Sequence, residues 1–153
     1  MAADVESLGY KNYLVEIGGE LRAAGRNAAG DRWRIGIEQV SPTQATDGLH
    51  LSAGGVATSG DYRNAFERDG RRYSHIIDPR TGYPVDHALA SVTVVAETAM
   101  LADAWATTLM VLGPDDGMKI ADQMGLAAYF IVREGADVYT DLSSDEYEKL
   151  VLR

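Results

Sequence analysis

The first part of the chain alternates apolar and polar side chains in short runs, which is typical of half-buried β-strands. Residues 13–17 end at a pair of glycines, and the pattern resumes at residues 20–22. Residues 32–38 alternate again after a turn that contains Gly and Asn. We therefore predict a hairpin in this region.

The next polar stretch, residues 41–48, is rich in Ser, Thr, Pro and Gln and is predicted to be a loop. Two short apolar runs follow it, at residues 49–52 and 56–60, with Gly54 and Gly55 between them. Paired glycines favour a tight turn, so we predict two short strands joined closely at this point.

The middle of the chain, residues 61–78, has an Asp-Gly pair at 69–70 between two strand-like runs, which is a strong hairpin signal. His75 then lies near the end of the returning strand. Residues 78–87 contain Pro, Gly and a second Pro and are predicted to be an irregular loop. The β-branched run at 88–97 predicts a central strand.

Two helices are predicted from their end signals. Thr98 is a suitable N-cap for a helix over residues 99–112, and Gly113 marks its end. Pro114 and the two aspartates after it open a second helix, which Gly125 closes.

The last part of the chain predicts a hairpin from residues 126–134 and 137–141. Residues 143–146 have the pattern of a capping box, so we predict a last helix that ends at the carboxyl terminus. Hairpins next to adjacent helices favour an α+β fold, in which an antiparallel-rich sheet packs against helices in one pair of layers.

The amino-acid composition excludes several classes of protein. A chain of 153 residues that is 46% hydrophobic has the size of one globular domain. Its net charge of −9 and scattered basic residues argue against nucleic acid as a partner. No apolar run reaches the roughly 18 residues of a membrane span. The chain has no cysteine, so it forms no disulfide and has no thiolate metal ligand. The lack of cysteine does not decide between the cytoplasm and an exported compartment.

The segment from His75 to Pro84 concentrates groups that can carry chemistry. His75 can accept a proton near neutral pH, and Arg80 can pair with a phosphate through two hydrogen bonds. A simpler alternative is a structural turn, in which Asp78 caps its own loop and Arg80 is a solvated charge.

On the predicted helix 99–112, Asp103 and Thr107 are four residues apart and share one face. Their oxygens suit Mg²⁺, which uses one or two protein carboxylates and keeps several waters. The alternative is that Asp103 only favours the first helical turn and Thr107 bonds back to a backbone carbonyl.

Thr58 and Ser59 are predicted to lie in the same short loop as Gly54 and Gly55, where amides and hydroxyls could meet an anionic or heteroaromatic ligand. A plain β-turn is the alternative there, because no helix follows as it does in a phosphate-binding loop. His50 and His87 have no zinc-type spacing and are predicted to be ordinary surface or turn histidines.

Four segments, in this order, carry a resemblance to a known family. They are EIGGE at 16–20, ATSGDYRNAFERDGRRYSHIIDPRTGYPV at 57–85, SVTVVAETAMLADAWATTLMVLG at 91–113 and GLAAYFIVRE at 125–134. Together they resemble the ApbE family of flavin transferases over nearly the whole chain.

The resemblance implies an enzyme that binds FAD and Mg²⁺, releases AMP and leaves FMN on a Thr or Ser hydroxyl of an acceptor protein, typically a membrane redox subunit. Asp103 and Thr107 match the metal ligands of the family, and His75 matches the histidine that acts on the acceptor hydroxyl. The cofactor-binding positions on this interpretation are Thr58, Ser59, Ile77, Asp78, Arg80 and Thr81.

The chain departs from the family pattern because it matches only the carboxyl-terminal portion of full-length members. We expect residues 1–153 to be that portion, to be soluble and to be poorly active alone. The compartment stays open, and an exported or membrane-anchored lipoprotein is one option for the parent. Two alternatives stay open: a non-catalytic flavin-binding module, and a magnesium-dependent pyrophosphatase that converts FAD to FMN and AMP.

Overall fold

The computed structural model describes residues 1–40, 48–61, 65–68, 71–135 and 138–151. In chain order, its helices and strands are α1 Ala2–Ser7, β1 Tyr13–Ile17, β2 Glu20–Ala24, β3 Trp33–Ile35, β4 Leu49–Leu51, β5 Ala53–Gly60, β6 Phe66–Arg68, β7 Arg71–Tyr73, β8 Ile77–Asp78, β9 Tyr83–Pro84, β10 Leu89–Ala96, α2 Ala99–Leu112, α3 Pro114–Met124, β11 Ala127–Gly135, β12 Val138–Ser143 and α4 Asp145–Glu148.

A six-stranded sheet forms the centre of the fold, with the strand order β1-β2-β5-β10-β11-β12 and antiparallel pairing throughout. Among the described residues, three two-stranded ribbons accompany it: β3 with β4, β6 with β7, and β8 with β9. The predicted α+β fold with an antiparallel-rich sheet is confirmed.

Both faces of this sheet are covered, so the β3–β4 ribbon and α4 add a further layer to the predicted pair of sheet and helices, and β11 shows why. Successive side chains of a strand point to opposite faces. Tyr129 and Ile131 join a core cluster with β3, β4 and α4, whereas Phe130 and Val132 join a second cluster with α2 and α3. A strand that is buried on both faces reads as a continuous apolar run, as the sequence of β11 does.

Helix α2 lies close against the sheet because small residues line the contact. Thr98 caps its first turn by accepting a hydrogen bond from the Leu101 amide at 3.2 Å, and Ala102 and Ala106 are fully buried. On the sheet side the contact is Gly55, where an added Cβ would lie 2.1 Å from the Ala99 amide nitrogen. The sheet and helix therefore meet backbone to backbone.

We expect Gly55→Ala to destabilise the fold by about 3 kcal/mol, at the upper end of the usual cost of overpacking, because backbone and not a flexible side chain must move. Urea unfolding followed by circular dichroism measures the change. Gly135→Ala is the matched control in another strand, where a Cβ meets nothing within 4 Å, and it should change stability by less than about 1 kcal/mol. Equal effects of the two substitutions would contradict the close contact.

Most local predictions are confirmed. Helices α2 and α3 begin and end where the capping residues indicate, and β10 is a central strand between β5 and β11. The β6–β7 and β11–β12 hairpins form, although residues 69–70 lie outside the described residues, as does all of the predicted loop 41–48 except Gly48.

The predicted strand arrangement around Gly54 and Gly55 is wrong. Both glycines lie within β5, which pairs with β2 and β10, and Thr58 and Ser59 lie in the same strand and not in the predicted loop. Residues 49–51 instead pair with β3, so residues 33–35 belong to a separate ribbon and not to the β1–β2 hairpin. These glycines allow a close approach of another backbone to the strand. Paired glycines are also typical of turns, so the local sequence does not distinguish the two cases.

Two other predictions need correction. Residues 78–87 are not wholly irregular, since Ile77 pairs with Pro84 and Asp78 with Tyr83 in the β8–β9 ribbon.

The last helix, α4, is only four residues long and ends before the carboxyl terminus. Its N-cap Ser144 accepts from the Tyr147 amide, so a tyrosine and not a glutamate occupies the position that would complete a capping box.

Candidate functional site

A cleft of about 680 Å³ opens where the end of β5 meets α2 and the β1–β2 turn. We call it the main cleft. It brings together six of the predicted site residues from three separate parts of the chain: Thr58, Ser59, His75, Ile77, Asp103 and Thr107.

The remaining predicted residues, Asp78, Arg80 and Thr81, line a second cleft of about 550 Å³. The pleat of β8 explains the separation, since Ile77 and Asp78 are neighbours in a strand and their side chains point to opposite faces. The structure therefore divides the predicted site into two clefts, one on each side of the β8–β9 ribbon.

In the second cleft, Asp78 holds its own turn together. Its carboxylate accepts hydrogen bonds from the Arg80 amide at 2.8 Å and from the Arg80 guanidinium at 2.7 and 2.9 Å. Its carbonyl oxygen accepts from the Gly82 amide at 2.8 Å. The hydrogen bonds from Arg80 hold the pKa of the Asp78 carboxyl below its usual range. These contacts agree with the structural alternative for Asp78 and leave the cofactor-binding role a prediction.

This lowered pKa predicts how the turn responds to acid. A carboxyl group with a depressed folded-state pKa stabilises the fold above its unfolded pKa of about 3.9, and the contribution is lost as pH falls through the folded pKa. We expect the Arg80 Nε–H and Asp78 carboxyl signals in NMR to titrate below pH ~3.9. Arg80→Gln should return the Asp78 midpoint to its ordinary range. A wild-type midpoint at or above that range would contradict the pairing.

His75 in the main cleft is presented to solvent by its two neighbours. Ser74 and Ile76 are both buried, at 5% and 9% exposure, and the Ile76 amide donates to the Ser74 hydroxyl at 3.1 Å. This local turn leaves the imidazole between them exposed in the cleft. An exposed imidazole in a cleft can take a proton from a bound hydroxyl group.

Asp103 and Thr107 are both exposed on the face of α2 that lines the main cleft. Thr107 does not follow the predicted alternative of bonding back along its helix, because its hydroxyl lies 3.1 Å from the Ser59 hydroxyl. Within the described residues, no group of three or more His, Cys, Asp or Glu side chains gathers to hold a metal. The donor set is thus a sparse oxygen pair, which fits Mg²⁺ with retained water and does not fit zinc.

The whole arrangement can now be compared with known proteins. The family model described as the ApbE family matches residues 1–130. The chain belongs to the ApbE family.

Its relatives include curated and solved flavin transferases. The FAD:protein FMN transferase of Haemophilus influenzae is 46% identical over 98% of this chain, and the one of Escherichia coli K12 is 44% identical over 94%. The solved flavinyl transferase ApbE of Pseudomonas stutzeri, in its apo form, superposes with a TM-score of 0.87, at 48% identity over 98% of this chain.

This ApbE-family chain spans less than half the length of these relatives. It covers 44% of the Haemophilus influenzae protein, 41% of the Escherichia coli protein and 46% of the solved Pseudomonas stutzeri chain. In the described part of the chain, no helix is long and apolar enough to cross a membrane.

Sequence reasoning missed several residues of the main cleft. Glu16, Glu20 and Glu38 line it together with Asp103, although among the described residues no three such side chains come close enough to hold one metal ion. Glu16 and Glu20 flank the paired glycines in the EIGGE segment that carries the resemblance, whereas Glu38 has no local signal of a site. A cleft lined by carboxylates attracts cations in general.

His87 lies in a bend before β10, as predicted for a turn histidine, and its ring makes structural contacts. Its ring is half-buried in the second cleft, where Nε2 lies 2.8 Å from the Met110 carbonyl oxygen and Nδ1 accepts from the Leu89 amide at 3.3 Å. Both ring nitrogens are therefore bonded, and His87 joins the start of β10 to the last turn of α2. A histidine held in this way is a structural residue.

Proposed function

We propose that this ApbE-family chain forms part of a magnesium-dependent FAD:protein FMN transferase. The observation that carries the proposal is the main cleft, which is lined both by His75 and by Asp103 and Thr107 of α2. The curated relatives of the chain are named FAD:protein FMN transferases, which supports the same conclusion.

The proposed reaction transfers a phosphoryl-linked group. The hydroxyl oxygen of an acceptor Thr or Ser attacks the FMN phosphorus of FAD, a new P–O bond forms, and the bond from that phosphorus to the bridging oxygen of the pyrophosphate breaks. AMP leaves with the bridging oxygen and its electron pair. The hydroxyl proton goes to a ring nitrogen of His75, which acts as general base.

Asp103 and Thr107 would hold the cation, with water completing its coordination. When bound, Mg²⁺ neutralises charge on the pyrophosphate and on the departing AMP. Asp103 and Thr107 would place the cation at the cleft, because both project from one face of a helix that is fixed against β5. Phosphoryl transfer depends mainly on such positioning and electrostatic stabilisation.

Thr58, Ile77 and the second-cleft residues Asp78, Arg80 and Thr81 are proposed to contact the flavin or phosphate. Ile77 supports the flavin assignment best, because its apolar side chain is 49% exposed within the main cleft. We further propose that the acceptor is a redox subunit of a membrane, as the family resemblance implies. An acceptor of this kind must present a hydroxyl group within reach of His75.

The test combines the chain with the part of the relatives that it does not span. We would incubate it with FAD, Mg²⁺ and a Thr-containing acceptor peptide, with the amino-terminal half of the Haemophilus influenzae relative added separately. Mass spectrometry should show the peptide gaining FMN, and chromatography should show one AMP released for each peptide labelled. The intact relative is the positive control, and the same peptide with Thr replaced by Ala is the negative control.

Other outcomes of this experiment identify the alternatives. AMP and free FMN without a labelled peptide would indicate a pyrophosphatase, in which water replaces the acceptor. FAD binding without AMP release, when the intact relative labels the peptide, would indicate a flavin-binding module. Either result would overturn the proposed transferase.

A further inference from the structure

Two adjacent threonines of α2 use their hydroxyl groups differently. Thr108 donates to the carbonyl oxygen of Ala104, one turn earlier, at 2.7 Å, which is the common behaviour of a threonine within a helix. The Thr107 hydroxyl instead lies 3.1 Å from the Ser59 hydroxyl on β5. The orientation of the Thr107 hydroxyl is therefore set by a contact with strand β5.

The close contact at Gly55 places Ser59 beside Thr107. A strand rises about 3.3 Å per residue, so β5 advances roughly 13 Å from Gly55 to Ser59. A helix rises 1.5 Å per residue, so α2 advances about 12 Å from Ala99 to Thr107. Because Gly55 meets Ala99 at the start, the two elements stay in register until Ser59 meets Thr107.

The pleat of β5 gives its two hydroxyl side chains different partners. Ser59 and Gly55 are four residues apart and point to the same face, toward α2. Thr58 points the other way and bonds to the Thr93 hydroxyl at 2.8 Å. Of these neighbours, Ser59 alone contacts a predicted metal ligand, so their functions should differ.

We propose that Ser59 is a positioning residue for the cation site, acting through Thr107. A threonine hydroxyl that binds a cation uses an oxygen lone pair and has its proton free to donate to another acceptor. In this proposal it donates to the Ser59 oxygen, 3.1 Å away, which turns the Thr107 lone pairs toward the face shared with Asp103. This inference rests on the proposed metal site and gives Ser59 a role other than contact with the flavin.

A fixed Thr107 also favours one cation over another. Mg²⁺ demands near-ideal octahedral geometry, whereas Ca²⁺ accepts flexible and irregular ligand sets. Loss of the Ser59 hydroxyl leaves the Thr107 oxygen in place but free to rotate. The binding of Mg²⁺ should therefore suffer more than the binding of Ca²⁺.

The experiment measures metal binding to the 153-residue chain without any turnover. Mn²⁺ is titrated and its free aqua ion is followed by EPR, and Mg²⁺ and Ca²⁺ then compete for the site that Asp103→Ala removes. We expect Ser59→Ala to weaken Mg²⁺ about tenfold, the lower end of the usual effect of residues that orient metal ligands. Ca²⁺ should weaken by less than about threefold, since it tolerates a mobile ligand.

Three variants separate positioning from other roles. Thr108→Val removes a hydroxyl from the neighbouring position of α2 and should leave both affinities unchanged. Ser59→Cys keeps the side chain's size with a weaker acceptor and should resemble Ser59→Ala. The double variant Ser59→Ala/Thr107→Val should bind no more weakly than Thr107→Val alone, because Ser59 acts through Thr107.

Each contrary result has a distinct meaning. Unchanged Mg²⁺ affinity in Ser59→Ala and Ser59→Cys, with binding lost in Asp103→Ala, would overturn the inference and leave the proposed transferase intact. Additive losses in the double variant would also overturn it, because Ser59 would then act independently of Thr107. The absence of any Asp103-dependent site would overturn both the inference and the proposed metal pair. Circular dichroism of each variant confirms that it is folded.

Discussion

His75→Ala should lower the rate of FMN transfer by about 100- to 10,000-fold while FAD affinity stays unchanged, because a positioned general base contributes a factor of this size. The imidazole is exposed in the main cleft, which the residues proposed to bind the cation also line. The loss should therefore fall on the chemical step and not on cofactor binding. Transfer is measured by peptide labelling in the presence of the complementing half, and FAD affinity by fluorescence titration.

Two controls show whether the loss comes from the missing base. His50→Ala removes a histidine from β4, outside both clefts, and should leave transfer unchanged. Free imidazole added to His75→Ala should restore part of the rate, since it can enter the vacated space and accept the proton. Equal rates for wild type and His75→Ala would remove His75 from the proposed mechanism.

Asp103→Ala should raise the Mg²⁺ concentration needed for half-maximal transfer on the order of 100-fold, because the charge of the ligands sets the affinity for a hard cation. Thr107 alone offers a neutral oxygen, so the remaining site holds Mg²⁺ weakly. High Mg²⁺ should recover part of the lost rate. A Mg²⁺ titration of the labelling rate gives the shift directly.

Asp115→Ala is the matched control for this second substitution. Asp115 is also an exposed aspartate near the start of a helix, but it lies on α3 and lines neither cleft. Its replacement should leave the Mg²⁺ dependence unchanged. If both variants showed the wild-type Mg²⁺ curve, the cation would have to be held by residues other than Asp103.

The parts of the fold that sequence predicts well are those with local signals. The ends of α2 depend on Thr98 and Gly113, whose effects act within one helical turn, and both ends are where these residues indicate. The strand pairing near Gly54 and Gly55 was not predictable in the same way. Gly54 adopts φ +137° and Gly55 makes room for α2, so tertiary contacts and not a turn explain the pair.

In the candidate site, too, only the features with a local sequence signal were predictable. The segment from His75 onward stood out because its chemistry is contiguous, but its division between two clefts depends on the pleat of β8 at Ile77 and Asp78. Alternation along a strand could have revealed that division if the short β8–β9 ribbon had been recognised. Glu38 lies after the end of β3 and reaches the main cleft only through the tertiary fold, so it had no local signal.

The turn that carries His75 has a consequence for the entropy of catalysis. Fixing the backbone of one residue costs roughly 1–2 kcal/mol of conformational entropy. Ser74 and Ile76 are already buried on either side of His75, so its backbone is ordered when the chain folds and not when the acceptor arrives. The acceptor hydroxyl then meets a base whose backbone position is already set, and more of the binding free energy remains available to hold the acceptor itself.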